Sequence, residues 1–137
     1  MSQFITELDC HLKDCYGDCV WVLDKPLVYY SSYLKQRHSS KPQIVVPEGF
    51  ETDLASVPRV PIIFSLWGAK AHREAVIHDY LYRIDANPDV KRAVADRVFL
   101  EAMGVRQKPK RVKYPMYLGV RIGGWATWHK RLVADEF

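Results

Sequence analysis

The residues best suited to chemistry sit in the run Ile77-His78-Asp79-Tyr80-Leu81-Tyr82, with Asp96 downstream. A histidine that donates one ring N–H to a carboxylate keeps its other nitrogen as a base for water. His78, Asp96 and Tyr82 are therefore the candidate catalytic residues, with His78 as base, Asp96 orienting it and Tyr82 in support. Asp79 points about 100° away from His78 around a helix, so it is not the orienting group. The competing reading of the same three residues is structural: a satisfied buried His–Asp–Tyr cluster that locks two helices together. Arg92, one turn before Asp96, is a further partner for a carboxylate that burial would otherwise penalise.

Two helices must position these groups. Asn87 followed by Pro88 reads as an N-cap with proline at the first helical position. Gly104 falls where a left-handed C-cap residue belongs. Ala95, Phe99, Ala102 and Met103 recur at helical spacing, with Arg92 and Asp96 on the same stripe. Upstream, Ala71, Ala75, His78, Leu81 and Tyr82 share a face. These patterns predict helices over 71–83 and 88–103, antiparallel because the linker is short. Leu81 should then lie near Ala95, His78 near Asp96 or Phe99, and Ala75 near Ala102. His72 is on another face, so it forms no i, i+4 metal clamp with His78 and reads as exposed.

Ahead of the helices the chain reads as strands. Residues 1–19 carry no clear period. Residues 19–23 and 27–30 read as hairpin partners across Asp24-Lys25-Pro26. A polar loop over 31–42, a strand over 43–46, a turn at Pro47-Glu48-Gly49 and an extended segment over 50–52 follow. The fold class is α+β: a small N-terminal antiparallel sheet of three or four strands packed on the helix pair, with an aromatic C-terminal segment. The stretch Asp53-Leu54-Ala55-Ser56-Val57-Pro58-Arg59 has two readings. It is a capped turn, with Asp53 and Ser56 bonding local N–H groups, or it walls the His78 cleft and brings Asp53, Ser56 and Arg59 to a substrate. Asp-x-x-Ser is not a nucleophile elbow, so Ser56 has little claim as a nucleophile.

The tail holds Tyr114, Tyr117, Trp125 and Trp128 among Gly119, Gly123 and Gly124. It either packs over the core as a last helix or strand, or leaves an exposed aromatic patch, with Tyr117, Trp125 and Trp128 as contacts to another chain. Its basic flanks, Lys108 to Lys113 and His129-Lys130-Arg131, with Arg121, suit the rim of such an interface or a phospholipid surface.

A length of 137 residues suits one domain: strands and loops over 1–60, a helix pair over 69–104, a basic and aromatic segment over 108–137. Hydrophobic residues make 48% and charged residues 26%, as in an ordinary globular chain. A net charge of +4 is mild, and it calls for a solvated face or an acidic partner rather than specific nucleic-acid binding. Cys10, Cys15 and Cys19 are odd in number and lack CxxC spacing, so no disulfide framework or zinc site is expected, and a reducing compartment is. No basic n-region and apolar run open the chain as a signal peptide would. No stretch reaches the ~20 apolar residues of a membrane span.

Three segments together, Thr52-Asp53-Leu54-Ala55-Ser56-Val57-Pro58-Arg59, His78-Asp79-Tyr80-Leu81-Tyr82-Arg83 and Ala95-Asp96-Arg97-Val98-Phe99, resemble the domain of unknown function 1353 family, over roughly 47–105. That family is carried by tailed bacteriophages and prophages, and it has no established activity. The resemblance implies a bacteriophage-encoded protein made in the bacterial host cytoplasm and destined for the virion. There it would be a tail-associated structural or assembly component, docking on other phage structural proteins or on copies of itself. A second, local similarity is to the paired active-site helices of secreted phospholipases A2, where a His-Asp pair is followed three residues later by Tyr and a second Asp orients the His. It implies His78 as base, Asp96 and Tyr82 as its support, and Asp79 as a metal (Ca2+) ligand, in a small phage hydrolase acting on lipid or the cell envelope. The helix-bridging cysteines of those enzymes correspond to Ala75, Leu81, Ala95 and Ala102, as a reduced protein keeping the same helix contact would have. The Gly-rich calcium loop is missing: Leu66-Trp67-Gly68-Ala69-Lys70 has one glycine.

Overall fold

The computed structural model describes residues 2–14, 20–37, 42–52, 73–107, 110–123, 125, 128–130 and 132–134. Cys15 and Cys19, the 53–59 turn with Asp53, Ser56 and Arg59, the predicted helix start at Ala71, and His72 lie outside them. The fold is α+β. Its strands are β1 (Gln3–Phe4), β2 (Cys10–Asp14), β3 (Val20–Leu23), β4 (Leu27–Tyr30), β5 (Gln43–Val46) and β6 (Glu51–Thr52). Its helices are α1 (Ser32–Arg37), α2 (Arg73–Leu81), α3 (Arg92–Val105) and α4 (Lys110–Gly123).

The strands form two antiparallel three-stranded sheets, ordered β1-β4-β5 and β2-β3-β6. The period of two in β4 and β5 turns Leu27, Tyr29, Ile44 and Val46 to one face, where all four are buried. The register sets Leu27 opposite Val46 and Tyr29 opposite Ile44. This corrects the expected hairpin: β3 and β4 do not pair, because the chain passes from one sheet to the other at Asp24-Lys25-Pro26. Asp24 N–H bonds Asp9 O on the first side, and Thr6 Oγ1 bonds Pro26 O on the second. The Pro47-Glu48-Gly49 turn closes as expected, with Phe50 N–H on Pro47 O and Gly49 at φ +85°. A Cβ is strained at that φ.

Residues 31–42 are not simply a polar loop. Ser31 is an N-cap, its Oγ accepting Leu34 N–H at 3.1 Å, and it opens the short α1. Glu101 of α3 fixes that junction to the helices. Its Oε1 accepts Tyr29 OH at 2.8 Å and Ser31 Oγ at 2.7 Å, and its Oε2 accepts Tyr33 N–H at 3.0 Å.

Helices α2 and α3 are antiparallel. Tyr82 and His78 meet Asp96 near the start of α3, His78 lies 4.6 Å from Phe99, and Ala75 clusters with Phe99, Leu100 and Met103 near its end. Ala75, Leu81, Ala95 and Ala102 are all buried. The ends of α3 differ from the expectation. Asn87 does not cap the helix, because the Tyr80 hydroxyl accepts its N–H and donates to its carbonyl, holding it in the turn. The helix begins at Arg92 instead. Nor does Gly104 end it: the helix runs through Gly104, and Gln107, at φ +60°, takes the left-handed position. Helix α4 lays Met116 and Val120 against Ala75, Phe99, Leu100 and Met103. Among the described residues no helix is long and apolar enough to cross a membrane.

Candidate functional site

Helical spacing places His78 of α2 and Tyr82, one residue past its end, on one face, opposite Asp96 of α3. His78 Nε2 is 2.7 Å from Asp96 Oδ1, and the Tyr82 hydroxyl donates to the same oxygen. Asp96 Oδ2 accepts Arg121 Nη1 at 2.9 Å and lies 3.6 Å from Arg92 Nη1. Arg92 Nη1 also donates to the carbonyls of Val120 and Arg121 near the end of α4. One buried carboxylate thus gathers side chains from α2, α3 and α4. Sequence reasoning named His78, Tyr82 and Arg92 as its neighbours but missed Arg121, which it set on an interface rim. Arg121 is turned inward because Asp96 needs a cation there.

Electrostatics fixes the proton inventory. Burial by itself raises the Asp96 carboxyl, but the hydrogen bond and charge of His78, then the bonds from Tyr82 and Arg121, outweigh it and hold the carboxyl below its usual value. Asp96 is therefore the acceptor, and His78 Nε2–H donates to it. Burial first, then the Asp96 bond and charge, push the Tyr82 phenol far upward, so it stays a donor.

That leaves Nδ1 as the ring nitrogen not engaged by Asp96. Among the described residues Nδ1 is buried and has no hydrogen-bond partner. The ring lies between Tyr82 at 4.3 Å and Phe99 at 4.6 Å, and His78 is 1% exposed. Nδ1 can act as a base toward water only where the ring is neutral and water reaches it past the Tyr82 and Phe99 rings.

Asp79 is elsewhere. Its Oδ2 accepts Arg83 Nη2 at 3.1 Å, and the same nitrogen donates to Glu51 O. A carboxylate already matched to a guanidinium is a poor cation ligand. Among the described residues no group of three or more His, Cys, Asp or Glu could hold a metal ion. These residues do not fit calcium. The three aromatics expected at a partner surface also separate. Trp128 meets Tyr82 edge-on at 5.0 Å and packs on the core, and Tyr117 packs on the Met116–Val120 cluster. Trp125 stands 69% exposed.

Residues 21–120 match the model of a family described as protein of unknown function (DUF1353), a span that takes in His78, Tyr82 and Asp96. No curated protein and no solved structure matches the chain.

Proposed function

The chain belongs to the DUF1353 family of proteins of unknown function, and from that premise we propose a tail-associated phage virion component whose His78–Asp96–Tyr82 cluster is a general-base hydrolytic centre directed at the host envelope. The virion half of this reading follows from the family's occurrence in tailed phages and prophages. The chemical half is carried by one observation: among the described residues His78 Nδ1 is buried with no hydrogen-bond partner, while Nε2 is held on Asp96. Buried polar atoms with no structural partner are uncommon, and a catalytic role is one reason for them.

In this mechanism neutral His78 takes a proton at Nδ1 from water as the water oxygen attacks an ester or amide carbonyl carbon. Asp96 stabilises the imidazolium through Nε2–H, and Tyr82 and Arg121 hold Asp96 in place. The proton then passes from Nδ1 to the leaving alkoxide or amine nitrogen, which restores neutral imidazole. The 1% exposure of His78 favours a second reading, in which the cluster only staples the helices and the protein is an assembly component docking on other phage proteins.

The test is turnover of phospholipid and peptidoglycan by wild type and His78→Asn, with calcium and with a chelator. Hydrolysis by the wild type that the folded variant loses, a drop of about a hundredfold or more, supports the catalytic reading. A wild type inactive on both substrates leaves the staple reading.

A further inference from the structure

Helix α4 has two unlike sides. Met116 and Val120 are buried against the other helices. Tyr114, Leu118 and Ile122, four residues apart, are 46%, 57% and 76% exposed, and Trp125 stands exposed just past the helix end. Steps of four keep Tyr114, Leu118 and Ile122 on one side of the helix, a stripe ~12 Å long at ~1.5 Å per residue. Contiguous apolar exposure of this kind marks an interaction surface.

Charge says what it meets. Residues 106–131 contain eight Lys or Arg and no Asp or Glu, in a chain whose net charge is only +4. Arg121 is turned to Asp96, and Arg106 faces Glu74. Lys110 and Arg111, in the helical turn before Tyr114, are exposed, as is Lys130, and Lys113 Nζ sits 5.4 Å over the Tyr114 ring. A second copy on this face would bring like charges together. Nucleic acid would have no use for Leu118 and Ile122. An anionic bilayer satisfies every part: aliphatic side chains reach the acyl boundary, Tyr114 and Trp125 sit at headgroup depth, and the lysines and arginine meet lipid phosphates.

We infer that α4 is an interfacial helix that lays its Tyr114–Leu118–Ile122 stripe, with Trp125 just past the helix end, on an anionic phospholipid bilayer. This inference does not depend on His78 chemistry, and its test reads binding rather than turnover. The full chain is floated with vesicles of phosphatidylcholine mixed with phosphatidylglycerol, and with phosphatidylcholine alone. Wild type is expected to float with the mixed vesicles, to release as salt rises, and to bind phosphatidylcholine alone at least about tenfold more weakly. Ile122→Glu and, separately, the double variant Lys110→Gln/Arg111→Gln, all at exposed positions, are expected to lower partitioning by about tenfold or more with unchanged circular dichroism. Wild type that stays in the supernatant, or variants that bind as well as wild type, would overturn the inference. So would an Ile122→Glu variant that dissolves a dimer or frees a bound protein while vesicles make no difference.

Discussion

Asp96 is fully buried, yet each of its oxygens faces two side chains, and this makes it a costly residue to change. Removing one partner from a buried charge leaves the others uncompensated, so Asp96→Ala is expected to lose about 3 kcal/mol in denaturant unfolding. The pH dependence has a definite sign. The Asp96 carboxyl is held below its ordinary value of 3.8 in the folded protein. Its stabilisation is therefore complete above 3.8 and is lost as pH falls through the folded value. The gap in melting temperature between wild type and Asp96→Asn should be widest near neutral pH and should narrow below about pH 3.8. Period alone revealed His78, Tyr82 and Asp96 as a set, because all three lie on two adjacent helices joined by a short linker. Arg121 was not legible in the same way: it comes from a third helix whose docking angle no spacing in the sequence records.

At the scale of elements, what the sequence shows is where regular structure exists, more than how it pairs. The runs 27–30 and 43–46 were legible as strands, but their pairing with each other was not, and only the structure shows that register. The partner of β3 was misjudged because Asp24-Lys25-Pro26 has the composition of a hairpin turn, and composition does not say whether a turn stays in one sheet. Ser31 carried a readable capping signal, overlooked because α1 is short and its flank is polar. Asn87-Pro88 failed as a helix start because a distant hydroxyl, Tyr80, takes both backbone groups of Asn87. Gly104 failed as a stop because the helix gains another stretch from the bonds of Arg106 N–H to Ala102 O and Gln107 N–H to Gly104 O. Its place inside a helix has a measurable effect. Among the described residues a Cβ there would meet Lys113 Nζ, at an ordinary 3.6 Å. Gly104→Ala should stabilise the protein by about 0.4–1 kcal/mol in equilibrium unfolding, through lost freedom of the unfolded chain.

Over the whole molecule, two buried clusters share the helices. One joins the sheets to α2 and α3, and the other joins α2 and α3 to α4. The C-terminal segment is therefore not a detachable appendage to the helix pair. Beyond α4, His129 N–H bonds Tyr82 O, and Val133 N–H bonds Asp85 Oδ1, tying the tail to the α2–α3 turn. Truncation after Lys113 removes Met116, Val120 and Arg121, uncovers Phe99 and Met103, and strips Asp96 of its closest guanidinium. The shortened chain should lose cooperative thermal unfolding, seen as a broad or absent calorimetric transition. A sharp transition near the full-length value would mean that α4 adds little to the core.

Glu101 and Asp96 sit five residues apart on α3, about 140° apart around its axis at 100° per residue. One carboxylate is bound to Tyr29, Ser31 and Tyr33 on the sheet side, the other to His78, Tyr82 and Arg121 on the helix side. Any roll or slide of α3 that keeps one set of bonds breaks the other, so the helix has no small motion open to it. It can open only when both neighbourhoods come apart. Amide protons of Ala95 to Met103 should therefore exchange with solvent at the rate of global unfolding, while those of α1 and β1 exchange earlier through local opening.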